Sequence, residues 1–142
     1  MVIRPAEPGD ADRLREVAAA AKGQWGYDEE LVRSWAAGIL LEGEIEVAEE
    51  DGAVAGWSAL LPGEGGVYVL EDLWVAPPWM GRGVGAELFR RAAARARDLG
   101  ASALELGADP NAVGFYEKVG ARVVGEHLSE WNRMTPVMRL EL

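Results

Sequence analysis

The stretch from Leu73 to Leu88, LWVAPPWMGRGVGAEL, limits what this chain can fold into more than any other part of it. Leu73, Trp74 and Val75 open it as a buried strand. Pro77 and Pro78 stop that strand, because proline can extend neither a β-ladder nor a helix. Gly81, Gly83 and Gly85 follow at alternate positions, and an alanine-rich helix begins directly after them. A strand, a glycine turn and a helix N-terminus in that order make a site for an anion. Glycine lets the backbone come close to a ligand, and the first-turn N–H groups of the helix point outward with no intrahelical acceptor. The positive end of the helix dipole and the charge of Arg82 add to the attraction. A plain connection would need glycine only for its backbone freedom. Three alternating glycines around an arginine favour a phosphate cradle instead. It is neither a P-loop, which ends in Gly-Lys-Ser/Thr, nor the G-x-G-x-x-G dinucleotide turn found near the start of a domain.

The rest of the chain supplies strands and helices for such a turn to join. Val2-Ile3-Arg4 reads as a short strand closed by Pro5. Pro8-Gly9-Asp10 then turns into a helix from about Ala11 to Ala21, with Asp10 as its N-cap and Leu14, Val17, Ala18 and Ala21 on the buried stripe. Lys22 to Tyr27 reads as a loop. Asp28 caps a second helix, with Leu31, Trp35 and Ile39 on its apolar stripe. Glu44 to Glu49 alternates as a half-buried strand, Asp51-Gly52 marks a hairpin, and Val54 to Leu61 returns. Val67 to Ala76 is apolar apart from Glu71 and Asp72, as a strand covered on both faces should be. Val84 to Leu99 forms the helix after the glycines, and Gly100 ends it. Ser102 to Leu106 is a strand, and Asp109 caps a short helix whose first position is Pro110. Arg122 to Gly125 and Val137 to Leu142 are the last strands, the second entered just after Pro136. The order is β-αα-βββ-α-β-α-ββ, an α/β arrangement of three layers, α/β/α, around a central mixed sheet.

At 142 residues the chain fits a single domain spanning residues 1–142. No apolar run approaches the ~20 residues of a membrane span, and the N-terminus has no secretory pattern. There is no cysteine, which excludes thiolate metal sites and a cysteine nucleophile. The expectation is a soluble cytoplasmic protein. Twenty-four acidic residues against 14 basic give a net charge of −10, which argues against nucleic acid as a partner. The same charge would weakly steer a cationic substrate, or simply keep the protein soluble. His127, the one histidine, has no partner at a readable spacing, and no metal site is expected.

Met80-Gly81-Arg82-Gly83-Val84-Gly85 resembles motif A of the GCN5-related N-acetyltransferases, which reads Q/R-x-x-G-x-G/A. Met80 stands where glutamine or arginine is usual, so one side-chain contact to the coenzyme is missing, whereas the backbone donors do not depend on it. The segment from Asp109 to Ala121 resembles motif B, N-x-x-A-x-x-F-Y-x-K-x-G-F. Its Phe-Tyr-x-Lys-x-Gly core is intact at Phe115 to Gly120. Asp109 replaces the opening asparagine, Asn111 lies two places further on, and Ala121 replaces the last phenylalanine. Ile3-Arg4-Pro5-Ala6 followed by Asp10-Ala11 is also typical. The resemblance covers nearly the whole chain.

The resemblance implies transfer of acetyl from acetyl-CoA to a primary amine of a small molecule or peptide, by direct attack in a ternary complex. A catalytically silent acyl-CoA sensor is the alternative, and it would lack a working acid. An amine of pKa ~10.4 is mostly ammonium at neutral pH and must lose a proton before it attacks. Glu71 and Asp72 are the candidate bases. Successive residues on a strand face opposite ways unless a bulge intervenes, so spacing leaves the choice open, with a slight lean to Glu71. Tyr116 matches the general acid, a phenol able to donate to the leaving thiolate. The backbone of Leu73, Trp74 and Val75 would hold the pantetheine arm, the loop Met80 to Gly85 the pyrophosphate, and Asn111 either the coenzyme or its own helix start. The acceptor site is expected around the first two helices and the late strands, where Gln24, Trp25, Tyr27, Asp28, Trp35 and Trp131 are candidates. Trp57 and Trp74 read as core. Aromatics beside acids suit a cationic amine. Dimers are common among similar proteins, so a homodimer is open, and no interface is legible.

Overall fold

The computed structural model describes residues 1–129 and 131–142. In chain order its main elements are β1 (Val2–Pro5), α1 (Ala11–Gly23), α2 (Glu29–Ala37), β2 (Glu44–Glu50), β3 (Ala53–Pro62), β4 (Val67–Val75), α3 (Val84–Asp98), β5 (Ala103–Gly107), α4 (Val113–Lys118), β6 (Arg122–Leu128) and β7 (Met134–Glu141). The expected element order is met. The strands form a seven-stranded sheet in the order β1-β2-β3-β4-β5-β7-β6. It is mixed, with β4 and β5 parallel and β1–β2, β5–β7 and β6–β7 antiparallel. The chain divides into two compact units, Met1–Ala59 with Asp72–Phe89, and Leu60–Glu71 with Arg90–Leu142.

In the first unit, β2 turns into β3 through Asp51 and Gly52, both at positive φ (51° and 77°). That is the geometry a two-residue hairpin demands. The Trp57 side chain is fully buried, and its indole N–H donates to Leu14 O at 2.9 Å, tying α1 to β3. Alternation along β4 divides its end residues between two faces. Leu73 and Val75 pack with Ala48, Ala55, Val84 and Leu88, whereas Trp74 meets Trp35 of α2 edge-on, with ring centroids 5.1 Å apart.

Two expectations for this unit are corrected. Asp10 stands at the N-cap position of α1, as expected, but its side chain makes no cap hydrogen bond to the helix. Asp10 ends a 3-10 turn, Pro8–Asp10, and its carboxylate accepts from Glu7 N at 2.7 Å and twice from the Arg4 guanidinium at 2.8 Å. Arg4 also reaches Glu49 at 2.7 Å. The Arg4 side chain, then the Glu7 N–H, hold the Asp10 carboxyl down at about 2. In α2 the buried stripe is Val32 and Ala36, while Leu31 is 60% exposed. Both pairings, 31/35 and 32/36, satisfy an i,i+4 spacing; Ile39, expected on the first stripe, lies past the end of the helix and is buried.

In the second unit, Val67–Val69 pair with Ala103–Glu105. Glu105 lies opposite Arg139 of β7, which it meets at 2.7 Å. Gly100, at φ 86°, ends α3 with Gly100 N donating to Arg97 O and Ala101 N to Ala96 O, a Schellman cap. The last hairpin is longer than expected, running through Pro136 to Met134. Pro136 O accepts from Ala108 N at 2.8 Å, so its ring nitrogen faces the side where β5 has already ended at Gly107.

Candidate acetyl-transfer site

After β4 the chain makes a 3-10 turn, Pro77–Trp79, with Trp79 N on Ala76 O at 2.8 Å and Met80 N on Pro77 O at 3.2 Å. Gly81 and Gly83 then adopt φ of 74° and 83°. A Cβ built at either meets nothing within 4 Å, so side chains there would project into open space in front of the helix. The first i→i−4 bond of α3 runs from Glu87 N to Gly83 O, 3.1 Å. The N–H groups before it have no intrahelical acceptor, which leaves them available to an anion. The Arg82 guanidinium stacks over the Trp79 ring, 5.2 Å from its centroid, which orders a cation at the mouth of the loop.

Gly56 of β3 makes this placement possible, and nothing in the sequence singled it out. A Cβ at Gly56 would lie 2.7 Å from Trp74 O and 3.2 and 3.3 Å from the Val84 and Leu88 side chains. Only a residue with no side chain lets β3, β4 and the start of α3 come this close.

The two candidate bases are separated by the pleat. Glu71 is exposed, while Asp72 is 8% exposed and accepts the Trp74 indole N–H at 3.0 Å. Trp74 is half-buried rather than core, and with Trp35 and Tyr27 it forms an aromatic wall. Lys22, expected in a loop, lies in the last turn of α1 and is only 7% exposed. Its ammonium sits over the Tyr27 ring at 4.8 Å and the Trp35 ring at 5.7 Å. A signal was present: Lys22 continues the i,i+4 row of Leu14 and Ala18, and a lysine suits a helix C-terminus. Trp25 is half-buried just after α1. The Asp28 carboxylate is used as the α2 cap, accepting from Leu31 N at 3.0 Å.

The second unit holds the motif B residues. Tyr116 is buried on α4 and stands edge-on to Phe115, with centroids 5.1 Å apart. The helix is closed behind it by Gly120 at φ 105°, with Ala121 N on Tyr116 O at 3.0 Å. Asp109 accepts from both the backbone N and the side-chain Nδ2 of Asn111, each at 2.8 Å. Asn111 is therefore held at the helix start by the residue in the motif's asparagine position. Trp131 is half-buried in the β6–β7 turn, its N–H on Ser129 Oγ at 3.2 Å. Among the described residues no group of His, Cys, Asp or Glu side chains is placed to hold a metal ion, and no helix is long and apolar enough to cross a membrane.

Comparison with known proteins agrees with this geometry. A model of the acetyltransferase (GNAT) family matches residues 12–121. No curated protein matches the sequence. Among solved structures, a GCN5-related N-acetyltransferase from Rhodopseudomonas palustris superposes with a TM-score of 0.83 at 24% identity, over 99% of this chain and 95% of that one. The PaiA N-acetyltransferase of Thermoplasma acidophilum, solved with coenzyme A, gives 0.76 at 20% identity over 100% of both chains. A GNAT family acetyltransferase from Brucella melitensis, solved with acetyl-CoA, gives 0.67 at 31% identity, over 99% of this chain and 87% of that one. The open cradle at Gly81 and Gly83 fits a coenzyme diphosphate, and the fold is that of the acyl-CoA N-acyltransferases. The chain belongs to the acetyltransferase (GNAT) family, whose enzymes use acetyl-CoA.

Proposed function

We propose that this acetyltransferase acetylates a primary amine of a small molecule or peptide by direct attack in a ternary complex. The observation that carries the reading is a buried carboxylate, Asp72, on an aromatic face of the strand that runs into the coenzyme cradle. Acetyl-CoA supplies the acyl group already activated as a thioester. The N–H groups of Gly81 to Gly85 and the Arg82 guanidinium would hold its diphosphate, and the backbone of Leu73, Trp74 and Val75 would hold its pantetheine arm. Donors preorganised toward developing negative charge are commonly worth ~2.7–4 kcal/mol each.

Asp72 takes the proton that the acceptor ammonium must lose, directly or through water. It is favoured over Glu71 because pleating puts it with the aromatic wall while Glu71 is exposed. The Trp74 indole N–H orients one of its oxygens. Tyr116 keeps a hydroxyl proton for the leaving group, and the edge-on Phe115 ring fixes the phenol's position.

A thiol-release assay with acetyl-CoA and amines of several classes, with the product identified by mass, tests the reaction. An amide product is expected. Coenzyme binding with thiol release but transfer only to water or an alcohol would overturn the amine reading. Tyr116→Phe should lower kcat by on the order of 10²-fold, with KM for acetyl-CoA little changed. Unchanged turnover would remove the acid role. Asp72→Asn should depress the rate most at low pH, where deprotonation of the amine limits, and Glu71→Gln should not. The reverse pattern would move the base to Glu71.

A further inference from the structure

Trp79 sits between the core of the first unit and the coenzyme loop, and its ring is fixed in two ways. Pro77 and Pro78 precede it in the 3-10 turn and restrict the backbone, and its N–H closes that turn on Ala76 O at 2.8 Å. The half-buried indole packs against the cluster of Ala48, Ala55, Val84 and Leu88. Over the ring lies the guanidinium of exposed Arg82, 5.2 Å from the centroid. Other arginines of the chain are ordered by carboxylates, as Arg4 is by Asp10 and Glu49, and Arg139 by Glu105 and Glu141. A carboxylate that orders a guanidinium also cancels its charge and takes its N–H donors. A ring orders it while leaving the charge uncancelled and edge donors for a phosphate. In a chain of net charge −10 the difference matters, because a freely swinging arginine has many acids to find.

We propose that Trp79 is a positioning residue for the coenzyme: it holds Arg82 at the mouth of the loop, ordered and with its charge intact, before acetyl-CoA arrives. The inference rests on the reading that this loop receives the coenzyme's diphosphate. Arg82 supplies the charge, and Trp79 reduces the entropy lost when a long side chain is ordered at the moment of binding. Trp79 has no part in the chemistry, so its effect belongs in the affinity for acetyl-CoA and not in the turnover of bound substrates. It acts on the coenzyme through Arg82 alone, which separates this role from the packing of the ring on the core.

Two readouts test this on wild type, Trp79→Leu and Trp79→Phe, each with and without Arg82→Gln, and thermal melting is recorded for every variant. The first needs no coenzyme: the heteronuclear NOE at the Arg82 Nε–H reports the order of that side chain. It should be high in wild type, retained in Trp79→Phe and lost in Trp79→Leu. The second is calorimetric titration with acetyl-CoA at low and at high salt. Trp79→Leu should bind about threefold more weakly at low salt and equally at high salt, and Trp79→Phe should stay within about twofold of wild type. In the Arg82→Gln background Trp79→Leu should cause no further loss, whereas a packing role would carry the full loss over. An unchanged NOE in Trp79→Leu would overturn the proposal, as would a loss of affinity that persists without Arg82 or at high salt. A Trp79-dependent NOE in a protein that binds no acetyl-CoA would sink the coenzyme reading and the role of Trp79 with it, leaving only the ordered side chain.

Discussion

The coenzyme loop and the α1–α2 wall are built on opposite principles. The loop works through its main chain. Gly81 and Gly83 expose N–H groups, and the replacement of glutamine or arginine by Met80 leaves those donors in place. The wall works through side chains, where Lys22, Tyr27, Trp35, Trp74 and Asp72 set charge and shape together. On the function proposed above, one region would hold the coenzyme and the other would receive the acceptor. A backbone site tolerates exchange of its side chains but not added bulk. A side-chain site is retuned by a single residue.

The sharpest way to break that contrast is to put bulk and negative charge into the cradle. Gly83→Asp should lower acetyl-CoA affinity by more than about a hundredfold, through repulsion of the diphosphate and loss of the positive φ that glycine adopts freely. Calorimetric titration reads the loss, and an unchanged circular dichroism spectrum separates it from unfolding. Normal affinity would place the cradle elsewhere.

A smaller effect tests the support beneath the wall. Arg4 joins β1 to Asp10 at the start of α1 and to Glu49 of β2. Because the Asp10 carboxyl is held near 2 when folded and nearer ~3.9 when unfolded, its ionised form stabilises the fold at neutral pH. That contribution is fully present above the unfolded value and is lost as pH falls through about 2. Asp10→Asn should cost roughly 2 kcal/mol at pH 7, and the gap to wild type in chemical denaturation should close on acidification. A gap that stays constant with pH would assign the cost to lost hydrogen bonds rather than to charge.

The smallest effect belongs to the side chain in the loop. Arg82→Gln should weaken acetyl-CoA by only about threefold to tenfold at low salt, and the difference should vanish at high salt, as screening requires. A large, salt-independent loss would show that the loop relies on its side chains after all.

These contrasts also mark where sequence reasoning succeeds. The element order and the glycine turn before α3 were legible because glycine, proline and apolar periodicity report directly on the backbone. The caps at Asp28 and Gly100 were legible for the same reason. The α2 stripe was not, since Leu31/Trp35 and Val32/Ala36 fit the same period. Lys22 was missed because lysine scores as polar, so the buried stripe of α1 stopped one residue early at Ala21. Pleating told that Glu71 and Asp72 diverge, but only the ring of Trp35 against Trp74 shows which face carries the aromatic wall. Gly56 gave no signal at all, because a lone glycine in a strand does not reveal what approaches it.

The last hairpin has a consequence for how the molecule behaves in a crowded solution. β6 ends the sheet, every one of its residues is exposed, and Val123, Val124 and Leu128 are among them. Such a strand is a template on which another chain could polymerise. Its pairing with β7 slips between Val123 and Gly125, and a bulge of that kind bends and twists a strand out of the flat geometry that added strands need. The opposite end, β1, is four residues long and finishes in proline. The irregularity at Val123 to Gly125 thus works against edge-to-edge growth, and deleting Val124 would be expected to raise aggregation at high concentration, read by light scattering.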